Sequence, residues 1–133
     1  MLIGGGVLVV AAFLLGFVPQ YSKARGLESQ MAAAGQELSA ERSQARMREI
    51  GLLIGRVYLD VNQKNYGTAS QSATRFFEQA RTAAGQETDA NRKAFLQSAL
   101  NSRDALIGGL AKGDPGTLGL VQDLFQRALE VTK

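Results

Sequence analysis

The N-terminal segment constrains this chain most, because residues 1–21 carry no charged side chain and residues 2–18 are almost all apolar. As a helix, residues 2–18 would be about 25 Å long, and the whole uncharged segment would reach roughly the 30 Å hydrocarbon thickness of a bilayer. The cations Lys23 and Arg25 follow the segment, whereas no charged side chain precedes it. The sequence therefore predicts a single transmembrane anchor over residues 1–21, and the positive-inside rule places the C-terminal domain in the cytoplasm.

Small residues within this segment are candidates for close helix packing in the membrane. Ala12 and Gly16 are four residues apart, which puts them on one face of a helix, and Gly5 lies near one membrane surface. Small side chains allow transmembrane helices to approach closely. Gly5, Ala12 and Gly16 are therefore the predicted contacts with other membrane helices.

Two alternatives compete with an uncleaved anchor. Residues 22–24 fit a loose small-x-small cleavage site, as in a secretory signal peptide, but no Lys or Arg precedes the long apolar run. Residues 17–21, Phe-Val-Pro-Gln-Tyr, resemble the stretch where type IV pilin helices leave their apolar half. That resemblance implies a filament subunit whose apolar helix packs in a protein core. The chain lacks the family's glutamate near the start of the mature helix and its basic leader, so an uncleaved anchor is favoured.

Residues 22–46 are predicted to form a helical stalk, because they are rich in Ala, Glu, Gln and Arg and contain no Pro. An apolar seam of coiled-coil spacing runs along it, formed by Leu27, Met31, Ala34, Leu38 and Ala45. Gly26 and Gly35 weaken the helix by about 1 kcal/mol each relative to Ala. The seam could pack on the chain's own domain, on a second copy or on a partner subunit.

Residues 47–133 are predicted to form a helical bundle, because no segment shows the strict alternation of a strand. The first hairpin continues the stalk helix to Gln63, breaks at Lys64 and Asn65, and resumes from Tyr66 to about Ala84, with Gly85 as its stop. The predicted buried stripe of its first helix is Ile50, Leu53, Ile54, Val57 and Val61. On its second helix the buried residues are Tyr66, Ala69, Ala73, Phe76, Phe77 and Ala80.

A second hairpin is predicted over residues 88–132. Thr88 or Asp89 can cap a third helix that continues to Lys112. Gly113 then ends that helix, Asp114 caps the next, and Pro115 fits the first helical position. The third helix is expected to bury Phe95, Leu96, Ala99, Leu100, Leu106 and Leu110. The fourth helix, to Val131, is expected to bury Leu118, Val121, Leu124, Phe125, Ala128 and Leu129.

The two hairpins share a faint internal repeat, since residues 65–69 align with residues 114–118 and residues 76–80 align with residues 124–128. The first hairpin resembles a degenerate tetratricopeptide repeat, through Asn65-Tyr66-x-x-Ala69, the later Ala73 and Phe77, and the preceding Tyr58. The resemblance implies stacked helical hairpins, although the repeat spacing exceeds the 34-residue consensus. Candidate groove residues for a partner are Tyr58, Tyr66 and Phe77, and their alternative role is in the core of the bundle.

The side-chain inventory argues against catalysis and cofactor binding. The chain has no Cys and no His, so the usual ligands of zinc, haem and non-haem iron are absent, as is the commonest general base. Its carboxylates are scattered, and no Ser-x-x-Lys occurs. Its 15 basic and 12 acidic residues are intermixed, which is typical of a solvated surface and not of a nucleic-acid site.

The sequence therefore predicts a protein with no catalytic residues, no cofactor, no metal and no small-molecule substrate. The leading hypothesis is a membrane-anchored accessory or scaffold subunit, which docks on partner membrane proteins or on itself through its transmembrane helix and helical domain. The alternative is a pilin-like or other filament-forming subunit.

Overall fold

The computed structural model describes the backbone of residues 2–133 and the side chains of residues 26–133. Five helices run through these residues, and their bounds are α1 (Leu2–Asn62), α2 (Tyr66–Gln86), α3 (Ala90–Asn101), α4 (Arg103–Lys112) and α5 (Thr117–Val131). Residues 26–133 contain no β-strand, so the prediction of an all-α fold is confirmed for them. No helix in this part of the chain combines the length and the apolar character needed to cross a membrane. The side chains of the predicted anchor, including Gly5, Ala12 and Gly16, lie outside the described residues.

The chain divides into two compact units, Met1–Ala40 and Glu41–Lys133. In the first unit, residues 26–40 are helical and all of their side chains are exposed. The exposed side chains include three large apolar residues of the predicted seam: Leu27, Met31 and Leu38.

The second unit holds the hydrophobic core, which is built from one face of every helix. In it, α2 packs against α3 and α4, and α5 packs against α3 and α4 as well. The largest fully buried side chains are Phe76, Met47, Ile50, Ile54, Leu96, Leu106, Leu110, Leu124, Val57 and Val121. The predicted stripe of α1 is confirmed, with Leu53 only partly buried. On α5 the prediction for Leu129 is wrong, because this side chain is 47% exposed.

The break after α1 is confirmed at the predicted residues. The Lys64 backbone adopts a left-handed φ of 61°, and the Asn65 amide donates to the Asp60 carbonyl at 2.8 Å. A left-handed residue cannot continue a right-handed helix, so the chain reverses here and enters α2.

The predicted stop of α2 at Gly85 is wrong, because the helix passes through Gly85 and ends at Gln86. Glu87 supplies the actual stop with an extended backbone, and its carboxylate accepts hydrogen bonds from the Thr88 and Asp89 amides, each at 3.1 Å. The Asp89 carboxylate then accepts from the Arg92 amide at 2.9 Å, which confirms Asp89 as the N-cap of α3.

The predicted third helix is two helices, α3 and α4, which are separated at Ser102. The Ser102 hydroxyl donates to the Ala99 carbonyl at 2.7 Å, and the residue has φ −87° and ψ 0°. A serine hydroxyl that bonds to a backbone carbonyl of the preceding turn favours an end of the helix over its continuation. The spacing of apolar residues, on which the prediction of one helix is based, does not show this effect.

The connection from α4 to α5 is as predicted only at the end of α4, where Gly113 is in the left-handed conformation, with φ 62°. The prediction that Asp114 caps α5 is wrong, because α5 begins at Thr117, two residues later than predicted, and its N-cap is Gly116. The Asp114 carboxylate accepts from the Gly116 amide at 2.9 Å within the connection. The delay has a backbone cause, because the Thr117 amide donates to the Asp114 carbonyl at 3.1 Å in a tighter i→i+3 turn.

Candidate docking groove

An open groove of about 610 Å³ lies on the second unit, where the outward side of α1 meets α5. Its lining is formed by Glu49, Gly51, Leu52, Leu53, Gly55, Arg56, Tyr58, Leu59 and Phe125. The lining is mainly apolar, and the side chains of Leu52 and Leu59 are 75% and 59% exposed. Exposed leucines that flank a concave apolar surface are typical of a site for another protein.

Glycine and aromatic residues form the floor of the groove. A Cβ atom on Gly55 would lie 3.1 Å from Cε2 of Phe125, so the absence of a side chain allows that ring to pack directly on α1. The Phe125 ring also stacks on the Tyr58 ring, with centroids 5.6 Å apart and planes 17° apart. The stack fixes both rings, so the floor is a preformed surface.

The three predicted groove residues do not share one surface. Tyr58 lines the groove. Tyr66 is half-buried at the α4–α5 connection, where its Cδ2 lies 3.6 Å from the position that a Cβ on Gly113 would take. Phe77 is only 3% exposed and packs edge-to-face on Phe76, with ring centroids 5.0 Å apart.

The groove residues that sequence reasoning missed are Leu52, Leu59 and Phe125. Phe125 was assigned to the core, and it is only partly buried there. For the two leucines a signal was available, since they are seven residues apart and lie off the buried stripe of the same helix.

A polar network at the α2–α3 turn holds α1 to the rest of the unit. The Ser43 hydroxyl donates to the Glu87 carboxylate at 2.6 Å, and the Arg92 guanidinium donates to the Ser43 hydroxyl and to the Val131 carbonyl, at 3.4 and 3.3 Å. Arg46 also donates to the side chain of Gln86. These bonds join α1, the turn and the end of α5.

The ionisation of Glu87 follows from this network. Burial acts to raise the pKa of Glu87, but the hydrogen bonds from Ser43 and from the Asp89 and Thr88 amides, with Arg92 nearby, hold the pKa below its usual value. Each donor favours the charged form of the carboxylate. The network is therefore a structural clamp on α1 that needs Glu87 ionised.

A second polar cluster ties α5 to α3. Both terminal nitrogens of Arg127 donate to the Ser98 hydroxyl, at 3.0 and 2.9 Å, and the guanidinium lies 5.9 Å from the centroid of the Phe95 ring. Asp123, one turn earlier on α5, lies 3.4 Å from Nε of Arg127. The arrangement fixes the orientation of α5, and with it the position of Phe125 in the groove.

Among residues 26–133, no group of three or more acidic, His or Cys side chains is placed to hold a metal ion. In comparison with known proteins, no family model, curated protein or solved structure matches this chain. The geometry of the groove is therefore the basis of the functional argument.

Proposed function

We propose that this protein is a non-catalytic accessory or scaffold subunit, anchored in a membrane by one N-terminal helix and carrying a helical docking domain. Residues 1–21 are the anchor, residues 22–46 the stalk, and residues 47–133 the bundle, built as two stacked helical hairpins. With Lys23 and Arg25 directly after the anchor, the bundle lies on the cytoplasmic side.

The apolar groove is the observation that carries this proposal. Its floor is the fixed stack of Tyr58 on Phe125, and its walls include the exposed leucines Leu52 and Leu59. The charged residues Glu49 and Arg56 also line it. An apolar centre with a polar edge is the usual anatomy of a protein–protein interface.

The anchor supplies the second proposed contact. Gly5, Ala12 and Gly16 would let a helix of another membrane protein approach closely, because a small side chain leaves room for the neighbouring backbone. The accessory subunit would then hold its partners through the membrane helix and present the groove beside them.

A mild-detergent pull-down of the tagged full-length chain tests the proposal. We expect foreign membrane proteins in stoichiometric amounts, identified by native mass and peptide sequencing. Substitution of Gly5, Ala12 and Gly16 together by Leu should release them, because the larger side chains separate the helices. The matched control replaces Val7, Val10 and Val18 by Leu, which keeps the helix apolar and leaves the face of the small residues unchanged.

Two outcomes would contradict the proposal. Recovery of the chain alone, as a ladder of its own oligomers, would indicate a homo-oligomer or a filament. Release of the chain by mechanical shearing of cells, without detergent, would indicate the pilin-like alternative.

A further inference from the structure

The groove coincides with one face of a seven-residue repeat in α1. With Leu52 assigned to position a of a heptad, Ala45 and Leu59 also fall at a, and all three side chains are exposed. Five more lining residues of α1 fall at positions d, e and g, the other positions that face the partner helix in a coiled coil. They are Gly55 at d, Glu49 and Arg56 at e, and Gly51 and Tyr58 at g. Of the lining residues on α1, Leu53 at position b is the exception. The groove therefore lies on the face of α1 that carries positions a, d, e and g of this heptad.

The same spacing continues upstream in the sequence. Leu38 and Met31 occupy the two preceding a positions, and both are exposed in the first unit. An exposed apolar residue therefore recurs at every seventh position, apart from the small Ala45, over residues 31–59. A seven-residue apolar repeat is the pattern by which one helix pairs with another helix of the same spacing.

The charged residues at positions d and e complement each other across a parallel pair of this helix. Position d carries Glu41 and Arg48, which would face their own copies in a parallel pair. In that geometry each d side chain also enters a hole that includes the next e residue of the other helix. Arg42 follows Glu41 and Glu49 follows Arg48, so each seam charge meets an opposite charge across the interface.

A further charge pair agrees with the parallel register. Position g carries Glu37, and the e position five residues later carries Arg42. Interhelical g–e′ pairs of opposite charge set the orientation and the partner of parallel coiled coils. At Gly55 position d lacks a side chain, and the Phe125 ring that packs there fills that layer from α5.

From the coincidence of groove and heptad face, together with these charges, we infer that the occupant of the groove is α1 of a second copy of this chain, in parallel and in register. Leu52 and Leu59 then pack on the same residues of the second copy, between the two Tyr58–Phe125 stacks. This inference deepens the proposed function, on which it rests for the common membrane that keeps both chains parallel. The groove then serves docking between two copies of the scaffold, and partner proteins contact this dimer through the anchor helices.

Single-cysteine cross-linking tests the register directly, because the chain contains no native cysteine. Ala45→Cys, Leu52→Cys and Leu59→Cys are introduced one at a time into the full-length protein in mild detergent, and each sample is oxidised gently. In a parallel in-register pair, identical a positions come close enough for a disulfide. We expect each variant to give a disulfide-linked dimer of twice the 14.2 kDa chain mass.

Leu129→Cys is the matched control, because Leu129 is an exposed leucine of α5 outside the groove lining. It should form no disulfide-linked dimer under the same oxidation. Cross-linking at only one of the three α1 positions would indicate an antiparallel or shifted pair, and would overturn the inference. Absence of dimer at all three positions, or a disulfide to a foreign protein of cell membranes, would overturn it equally.

Two further variants measure the strength of the pair by sedimentation in the same detergent. Leu52→Glu should raise the dimer dissociation constant at least about tenfold, because it places a charge at an apolar seam. Ala45→Leu should lower that constant by about tenfold or more, because it adds apolar area at the seam. Ala40→Leu, an exposed alanine off the seam, should leave the constant unchanged. An unchanged constant in both seam variants would contradict the inference.

The proposed function is tested by measurements that do not depend on the dimer. Leu52→Glu should leave membrane fractionation unchanged, since the anchor is intact. Loss of the dimer in this variant, together with recovery of foreign partners by the wild-type protein, supports both proposals. If the wild-type protein forms the dimer but no foreign partner is recovered with it, the accessory role alone is overturned.

Discussion

Two adjacent glycines of α4 provide a sharp test of the packing between α4 and α5. A Cβ atom on Gly109 would lie 2.7 Å from Oγ1 of Thr117, whereas a Cβ on Gly108 would have no neighbour within 4 Å. Both residues lie inside the helix, so replacement of either by Ala removes the same backbone freedom from the unfolded chain. That effect alone stabilises a helix by about 1 kcal/mol.

The destabilisation expected from Gly109→Ala depends on the surroundings of Thr117. This side chain is 5% exposed, and its hydroxyl donates to the Asp114 carbonyl at 2.6 Å. Relief of the clash requires Thr117 to rotate or α5 to shift. Loss of a buried hydrogen bond or overpacking each costs about 1–3 kcal/mol. Gly109→Ala should therefore destabilise the unit by about 1 kcal/mol net, while Gly108→Ala stabilises it by about 1 kcal/mol.

Urea unfolding of the full-length protein in mild detergent provides the assay. Near-ultraviolet circular dichroism reports the second unit, because Tyr58 and Tyr66 are held against its packed residues. In a Thr117→Ala background the nearest remaining Thr117 atom, Cβ, lies 3.6 Å away, so Gly109→Ala should become stabilising by about 1 kcal/mol. Equal stabilisation by Gly108→Ala and Gly109→Ala in the wild-type background would refute the predicted packing.

Three further predictions address the remaining contacts, and each is tested by the same assay. Gly51→Ala should stabilise the second unit by about 1 kcal/mol, and Gly55→Ala should stabilise it less, because the new Cβ meets the Phe125 ring. A larger stabilisation by Gly55→Ala than by Gly51→Ala would contradict the close approach of Phe125 to Gly55. Since folding lowers the pKa of Glu87, the unfolded state binds more protons, and stability should fall as the pH drops below about 4.5. Glu87→Gln should flatten this dependence, and an equal slope in both proteins would exclude the clamp. Asp89→Ala should lower the free energy of unfolding by about 1 kcal/mol through loss of the α3 N-cap, and an unchanged free energy would refute the role of Asp89 as the cap.

Elements fixed by local chemistry could be predicted from the sequence. The break at Lys64, the cap at Asp89 and the stop at Gly113 each depend on the conformational preference of one or two residues. The buried stripe of α1 follows from helical periodicity, which reports burial against the chain's own core. These features need no knowledge of distant contacts.

Features that depend on competing or distant contacts could not be predicted. Gly85 is a good helix stop by type, but the Glu87 carboxylate provides a better one two residues later. Ser102 divides a helix that apolar spacing alone would continue. The groove needs α5 to bring Phe125 over Gly55, and this meeting of residues far apart in sequence has no local signal.

Native mass measurement of the tagged full-length protein from mild detergent is the most direct test of the central proposal, that this chain is a docking subunit. The account predicts two copies of the 14.2 kDa chain together with stoichiometric foreign membrane proteins. A monomer without partners would contradict it, and so would an open ladder of the chain alone.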